Sequence, residues 1–195
     1  MLIKQVLIFF LFSISFHSAY SQDGNEKGDQ ARLVLYNQPL DTLAVYVKNA
    51  YPFGLNFDVA SSYAAGKVWF FEDGKRIHRR AEEIKYLEFT DRQGSFHKYT
   101  YAPFLEMSNL SEIIISGKIS LYLNIRLVTT SQRSAVRFIE KDGQILALSG
   151  FSSRKKLREA MKLFMEDQPD IQKRIENKKL EDKELLDIIR EYNAL

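Results

Sequence analysis

From Arg32 to about Ser149, apolar and polar residues alternate in short β-branched and aromatic runs interrupted by Gly, Pro, Asn and Asp. Runs of period two predict strands with a buried face, separated by turns. Arg32–Tyr36 and Thr42–Lys48 flank Asn37-Gln38-Pro39-Leu40-Asp41, which reads as a hairpin connection. Lys67–Phe71 runs into Glu72-Asp73-Gly74, and an Asp-Gly pair after an aromatic strand is a strong turn signal. The clearest hairpin joins Ala135–Glu140 to Gln144–Leu148 through Lys141-Asp142-Gly143, with Val136, Phe138, Ile145 and Ala147 supplying one buried face. Ser95–Tyr101 and Ile113–Val128 add strands, the second broken at Ser116-Gly117-Lys118. Ala81–Tyr86 suits a helical turn, because Ala and Glu favour one and nothing breaks it.

After Gly150 the period changes. Leu157, Ala160, Met161 and Phe164 form one stripe of an amphipathic helix that starts with Ser152 or Ser153 as its cap. Pro169 occupies a first-turn position for a second helix, Asp170–Asn177. Asp182 is placed to cap a third, with Leu185, Leu186, Ile189 and Tyr192 on its apolar face and Leu180 as a staple. Helices this short need a partner surface. The expected fold class is α+β: a mainly antiparallel β-sheet over the N-terminal two-thirds, with a C-terminal segment of about three short helices packed on it.

The first residues follow a different rule. Lys4 precedes Val6–Phe16, eleven residues that are apolar apart from two Ser, and Ala19 and Ser21 then stand at −3 and −1 of a cleavage site before Gln22. This is the three-part pattern of a secretory signal, and its apolar run is well short of the ~20 residues of a spanning helix. The expected organisation is a signal peptide over residues 1–21, a flexible leader over 22–31, and one domain over 32–195, β-rich over 32–149 and helical over 152–193. Export then places the protein in the periplasm or outside the cell, with no permanent transmembrane segment.

Composition narrows the chemistry. The 195 residues contain no Cys, which excludes disulfides, thiolate metal sites and a cysteine nucleophile. An exported chain without Cys fits a bacterial envelope better than a small eukaryotic secreted domain. The formal net charge of +3, less one on removal of Lys4, gives no case for nucleic acid as a partner. Beyond the signal, His78 and His97 remain, with no spacing that places two imidazoles on one metal, and both read as exposed strand or loop residues. Ser153-Arg154-Lys155-Lys156 matches S-x-x-K in form, yet it lacks the partner motifs and suits a helix cap. No Gly-rich phosphate loop occurs, and no cofactor is implied. Asp41, Asp58, Glu72, Asp73, Glu82, Glu83, Glu88 and Asp91 have no diagnostic context, and catalytic pairing of carboxylates is a spatial property.

Two clusters stand out. Lys75, Arg76, Arg79 and Arg80 crowd one short stretch with His78, and Arg154, Lys155, Lys156 and Arg158 crowd the start of the first C-terminal helix. Cations are disfavoured at a helix N-terminus, so an anion held there by side chains and free N–H groups would relieve the conflict. The strand region also holds Tyr46, Tyr51, Phe53, Phe57, Tyr63, Trp69, Phe70, Phe71, Phe96, Tyr99, Tyr101 and Phe104, which are core material first and the lining of a groove second.

The stretch Gly117-Lys118-Ile119-Ser120-Leu121-Tyr122, the strand Arg137-Phe138-Ile139-Glu140-Lys141, and the tail from Ile175-Glu176-Asn177-Lys178 to Tyr192-Asn193 resemble the uncharacterised exported proteins of Bacteroidota. The resemblance covers Arg32 to Asn193 and implies location and architecture, with no activity or catalytic residues to transfer. Leu123-Asn124 departs from it, since further aromatics are expected there. The functional expectation is a non-catalytic envelope protein that binds another envelope protein or an anionic envelope component through the two basic clusters. Two alternatives are an envelope-polymer hydrolase with an Asp/Glu pair and a carrier of an apolar ligand.

Overall fold

A computed structural model of the chain describes residues 28–47, 66–91, 94–105, 109–127 and 133–195. The segment expected to be a signal peptide, Asp58, Tyr51, Phe53, Phe57 and Tyr63 lie outside the described residues. The protein is α+β. Ten strands form one antiparallel sheet: β1 Asp29–Leu35, β2 Gln38–Val47, β3 Lys67–Glu72, β4 Lys75–Arg80, β5 Ile84–Thr90, β6 Phe96–Tyr101, β7 Leu110–Ile115, β8 Ser120–Leu127, β9 Arg133–Lys141 and β10 Gln144–Ala147. Three helices follow: α1 Arg154–Phe164, α2 Pro169–Glu176 and α3 Asp182–Ala194.

Local chemistry sets the hairpins. Asp73 and Gly74 have φ of 47° and 73°, and Asp142 and Gly143 have φ of 51° and 79°. Two successive left-handed residues make the turn whose twist matches paired strands, and Asp-Gly is the pair that adopts it most readily. The first hairpin is tighter than the sequence suggests, because Leu35 pairs with Gln38 and only Tyr36 and Asn37 turn. Strand β1 also starts earlier than expected, at Asp29, with Ala31 buried inside the segment assigned to a flexible leader.

The strand order is β10-β9-β8-β7-β6-β5-β1-β2-β3-β4. Strands β4 and β5 are joined by the single turn Ala81–Glu83, yet β3, β2 and β1 stand between them in the sheet. In a flat sheet their axes would lie about 19 Å apart, whereas the connection reaches about 14 Å at full extension. The first half of the sheet must therefore curl until β4 comes back towards β5. Backbone bonds from Ala81 N to Gly66 O (2.8 Å) and from Tyr36 N to Glu83 O (3.0 Å) tie the closing corner. Inside the curl, Leu33, Val45, Val68, Phe70, Ile84 and Leu87 are fully or almost fully buried. Of Ala81–Tyr86, expected as a helical turn, Ala81–Glu83 does form a single 3-10 turn, whereas residues 84–86 already belong to strand β5 because Ile84, Leu87 and Phe89 are needed by this core.

The second half of the sheet carries the helices. Ile119, Leu121 and Ile139 pack against Met161, Met165, Ile171, Ile175, Ile188, Ile189 and Tyr192. The opposite face buries Tyr122 and Phe138 beside Ala102 and Leu105, so β8 and β9 are covered on both sides. Ser153 caps α1 by accepting a bond from Lys156 N (3.3 Å), and Pro169 opens α2. The cap of α3 is Glu181 rather than Asp182: Glu181 and Glu184 form a reciprocal capping box. Buried Leu180 precedes it, in one cluster with Leu185, as a staple requires. Asp182 is left free to accept both guanidinium N–H groups of Arg137 at 2.5 and 3.0 Å.

Candidate functional site

Hairpin β3–β4 has two unlike faces. Its register pairs Lys67 with Arg80, Trp69 with His78, and Phe71 with Arg76, so these share the outer face, while Val68, Phe70 and Ile77 point into the curled core. Trp69 is 38% exposed, its ring 4.7 Å from that of His78 and 4.4 Å below the Arg76 guanidinium. Such cation–π contact holds an arginine flat over indole while leaving its N–H edges open. Arg80 turns back to Glu82 (2.9 Å) and Glu83 (3.1 Å). Lys67, Lys75, Arg76 and Arg79 have no carboxylate partner among the described residues. Strand β4 lies at the end of the strand order, and Lys and Arg along an edge discourage its pairing with another strand.

The second basic cluster is used differently. Arg154 donates to Lys179 O (3.2 Å) and Arg158 to Lys178 O (3.1 Å), both in the segment leaving α2. Arg154 also lies 3.6 Å from Glu181. The unfavourable placement of cations at the start of α1 is thus answered within the chain, by carbonyls, and these two arginines are not free for an external anion. Lys155 and Lys156 remain exposed, with Lys155 4.0 Å from Glu159. The two clusters are not brought together: β4 ends the curled half of the sheet, and α1 packs on the other half.

A third arrangement escaped the sequence reading. His97 is not an exposed strand residue: its Nδ1 lies 2.6 Å from Glu112 Oε1 and its Nε2 3.2 Å from Asp91 Oδ2, with all three side chains at most 18% exposed. Ser95 N donates to the other Asp91 oxygen at 2.8 Å, and the rings of Phe89 and Tyr99 lie 5.2 and 6.3 Å from the imidazole and 5.9 Å from each other. Asp91 follows β5, His97 is in β6 and Glu112 in β7, so only strand pairing unites them. The one sequence signal is that His97 shares a strand face with buried Tyr99. The carboxylates bind opposite ring nitrogens and do not converge; among the described residues no three His, Asp or Glu side chains are grouped to hold a metal.

The hydrogen bond to Glu112, opposed by burial and reinforced by Asp91, holds the His97 pKa above its ordinary 6.5. A cationic imidazole satisfies both carboxylates; a neutral one donates to only one. Because the folded value exceeds the unfolded one, this contribution is complete below about pH 6.5 and is lost as pH rises through the folded value. The urea midpoint of the wild type is expected to fall from pH 6 to pH 9, and that of His97→Gln to change much less. Equal slopes for the two proteins would refute this role.

A shallow recess of about 80 Å³ lies where Ile114 and Leu123 meet Arg137, Asp182 and Leu186. It is well below the roughly 300 Å³ at which small-molecule pockets begin. Of the aromatics, Phe70 and Tyr99 are core residues, whereas Phe96 and Phe104 are exposed. The fold and the exposed hairpin thus define an α+β protein with a curled antiparallel sheet, an edge rich in cations and a separate helical layer. Compared with known proteins, the chain matches no family model, no curated protein and no solved structure.

Proposed function

We propose that the protein is a non-catalytic, exported component of a bacterial envelope, acting as a binding module for another envelope protein or an anionic envelope component. The observation that carries this reading is the row of exposed cations on edge strand β4, of which Lys75, Arg76 and Arg79 have no carboxylate partner among the described residues. The signal pattern of residues 1–21 supports an envelope location, as does the resemblance to exported proteins of Bacteroidota. Within the basic clusters, Lys75, Arg76 and Arg79 are the leading contact residues; Lys155 and Lys156 are secondary, and Arg154 and Arg158 serve the helical layer. The hydrolase alternative needs two carboxylates open to one cleft, and Asp91 and Glu112 are both engaged by His97.

The test is retention on an isolated envelope fraction at low and moderate salt. Replacing Lys75 and Arg79 together by Glu is expected to abolish retention at low salt, and Lys155→Glu with Lys156→Glu to weaken it modestly. Unchanged retention of both variants would remove the basis of this reading.

A further inference from the structure

Resting on that reading and narrowing its partner, we infer that edge strand β4 docks an extended acidic segment of another envelope protein, which adds to the sheet as a further strand. Residues 67–80 contain five Lys and Arg against one Glu and one Asp. Arg80 is taken by Glu82 and Glu83, whereas Lys75, Arg76 and Arg79 have no carboxylate partner among the described residues. The register divides these three between the two faces of the hairpin: Arg76 lies on the side of Trp69 and His78, and Lys75 and Arg79 on that of Val68, Phe70 and Ile77. A flat anionic surface meets one face at a time and would leave part of this charge unanswered. A strand laid along the edge alternates its own side chains between the same two faces, and so reaches all three cations. In the helical layer, by contrast, cations are answered locally: Lys162 by Glu176, Arg174 by Glu191, Lys173 by Asp170, Lys178 by Glu184.

The backbone adds a second, independent indication. Asp73 and Gly74 form a two-residue turn, so Glu72 and Lys75 are the closing pair that exchanges hydrogen bonds, and the alternation of an antiparallel ladder makes Phe70–Ile77 and Val68–Arg79 the next such pairs. Arg76 and His78, between them, turn their N–H and C=O groups away from β3, to an edge on which no other described strand pairs. The curl does not close on that edge, because β5, towards which β4 returns, already has β1 and β6 on its two sides. Strand β4 is also held ready for a partner. The turn fixes one end, the bond from Ala81 N to Gly66 O fixes the other, and buried Val68 and Phe70 anchor its neighbour β3. The charges then choose the strand. A second copy of β4 would set cation against cation, which is how such an edge resists pairing with its like. Carboxylates opposite Lys75, Arg76 and Arg79 reverse the sign of those contacts. The other edge, β10, is four uncharged residues and offers no such choice.

The probe is a labelled, end-blocked peptide, Thr-Glu-Thr-Val-Glu-Glu-Thr, whose acids fall opposite Arg79, Arg76 and Lys75 when it pairs antiparallel to β4, with its Val opposite Ile77. Binding to protein produced from the full-length chain is read by fluorescence anisotropy. Two relatives of the peptide separate charge from pairing. One has Gln for every Glu; the other is N-methylated at the Thr opposite His78, which keeps the charge and removes a hydrogen bond to the edge. The acidic peptide is expected to bind at low salt, to weaken at moderate salt and to slow hydrogen exchange of the Arg76 and His78 amides, and both relatives should bind about tenfold more weakly. Each opposite-charge pair contributes up to about fivefold and each like-charge pair costs a similar factor, so Lys75→Glu with Arg79→Glu should weaken binding at least about tenfold. Lys155→Glu with Lys156→Glu should leave it unchanged, and an unaltered urea midpoint checks that each variant is folded. Binding that N-methylation leaves intact, or that does not protect the Arg76 and His78 amides, would overturn the assignment, since charge alone would then account for it. Absence of peptide binding would overturn it as well, and charge-dependent retention on envelope by the same protein would leave the broader binding reading standing. Peptide binding with every expected signature but without retention on envelope would support the strand edge and remove the reading on which it rests.

Discussion

Asn124→Leu is expected to destabilise the fold by about 2–6 kcal/mol, from about 1–3 kcal/mol for each of two polar groups left buried without a partner. Asn124 is completely buried in β8. Its amide donates to Ser111 Oγ (2.9 Å), Asn109 Oδ1 (3.1 Å) and Leu110 O (3.4 Å), while Asn109 returns a bond to Asn124 Oδ1 (3.3 Å). Asn109 and Ser111 are buried as well, so no water stands ready to replace the lost partner. Leucine has the right size and the wrong chemistry. Replacing Asn109 and Asn124 together by Leu should cost less than the sum of the single changes, since an apolar pair leaves fewer orphaned groups. Urea titration of the four proteins measures this, and a single change below 1 kcal/mol would contradict it. The network gives position 124 a polar contact between β7 and β8.

Gly117→Ala and Asn193→Ala should each cost about 2–3 kcal/mol, and the double variant little more than either. The Asn193 side chain at the end of α3 accepts from Ile119 N (2.7 Å) and donates to Ile119 O (2.8 Å), clasping the helical layer to the start of β8. Two hydrogen bonds to buried backbone account for the size of the effect. A Cβ on Gly117 would come within 2.5 Å of the Asn193 amide, so alanine there must push the clasp open. Both changes thus remove one interaction, and their effects should fail to add. Additive costs in a double-mutant cycle would show that Gly117 matters for another reason. Neither change touches β3 or β4, so charge-dependent envelope retention should survive in every protein of the cycle that remains folded.

Local signals were legible where local chemistry decides. Both Asp-Gly turns, the Ser153 cap, Pro169 in the first turn of α2 and the apolar faces of the helices stand in the structure as their residue types require. The pattern was less informative where one segment serves two surfaces. Val136, Phe138 and Ala147 do share a face, but Ile145 is 38% exposed, and the other face, with Ile139 and Leu146, is buried by helices. The helical turn expected over Ala81–Tyr86 forms only over Ala81–Glu83, because the core claims Ile84 for strand β5. His97, Asp91 and Glu112 could not be joined by reading along the chain, because strand register alone makes them neighbours.

The basic clusters make the same division. Their composition is plain in the sequence, and their roles differ in space: Arg154 and Arg158 close on carbonyls twenty or more residues away, while Lys75, Arg76 and Arg79 stay exposed on edge strand β4. The sequence by itself determined the class of fold, the turns, the helix limits and the concentration of charge in residues 67–80, because propensity, capping and periodicity act over a few residues. Only the tertiary structure decided that the sheet curls, that His97 lies between two carboxylates, and which cations of the described residues pair with carboxylates. Those outcomes depend on distances between segments far apart in the chain, which are set by strand register, a three-residue connection and the competition of many side chains for one core.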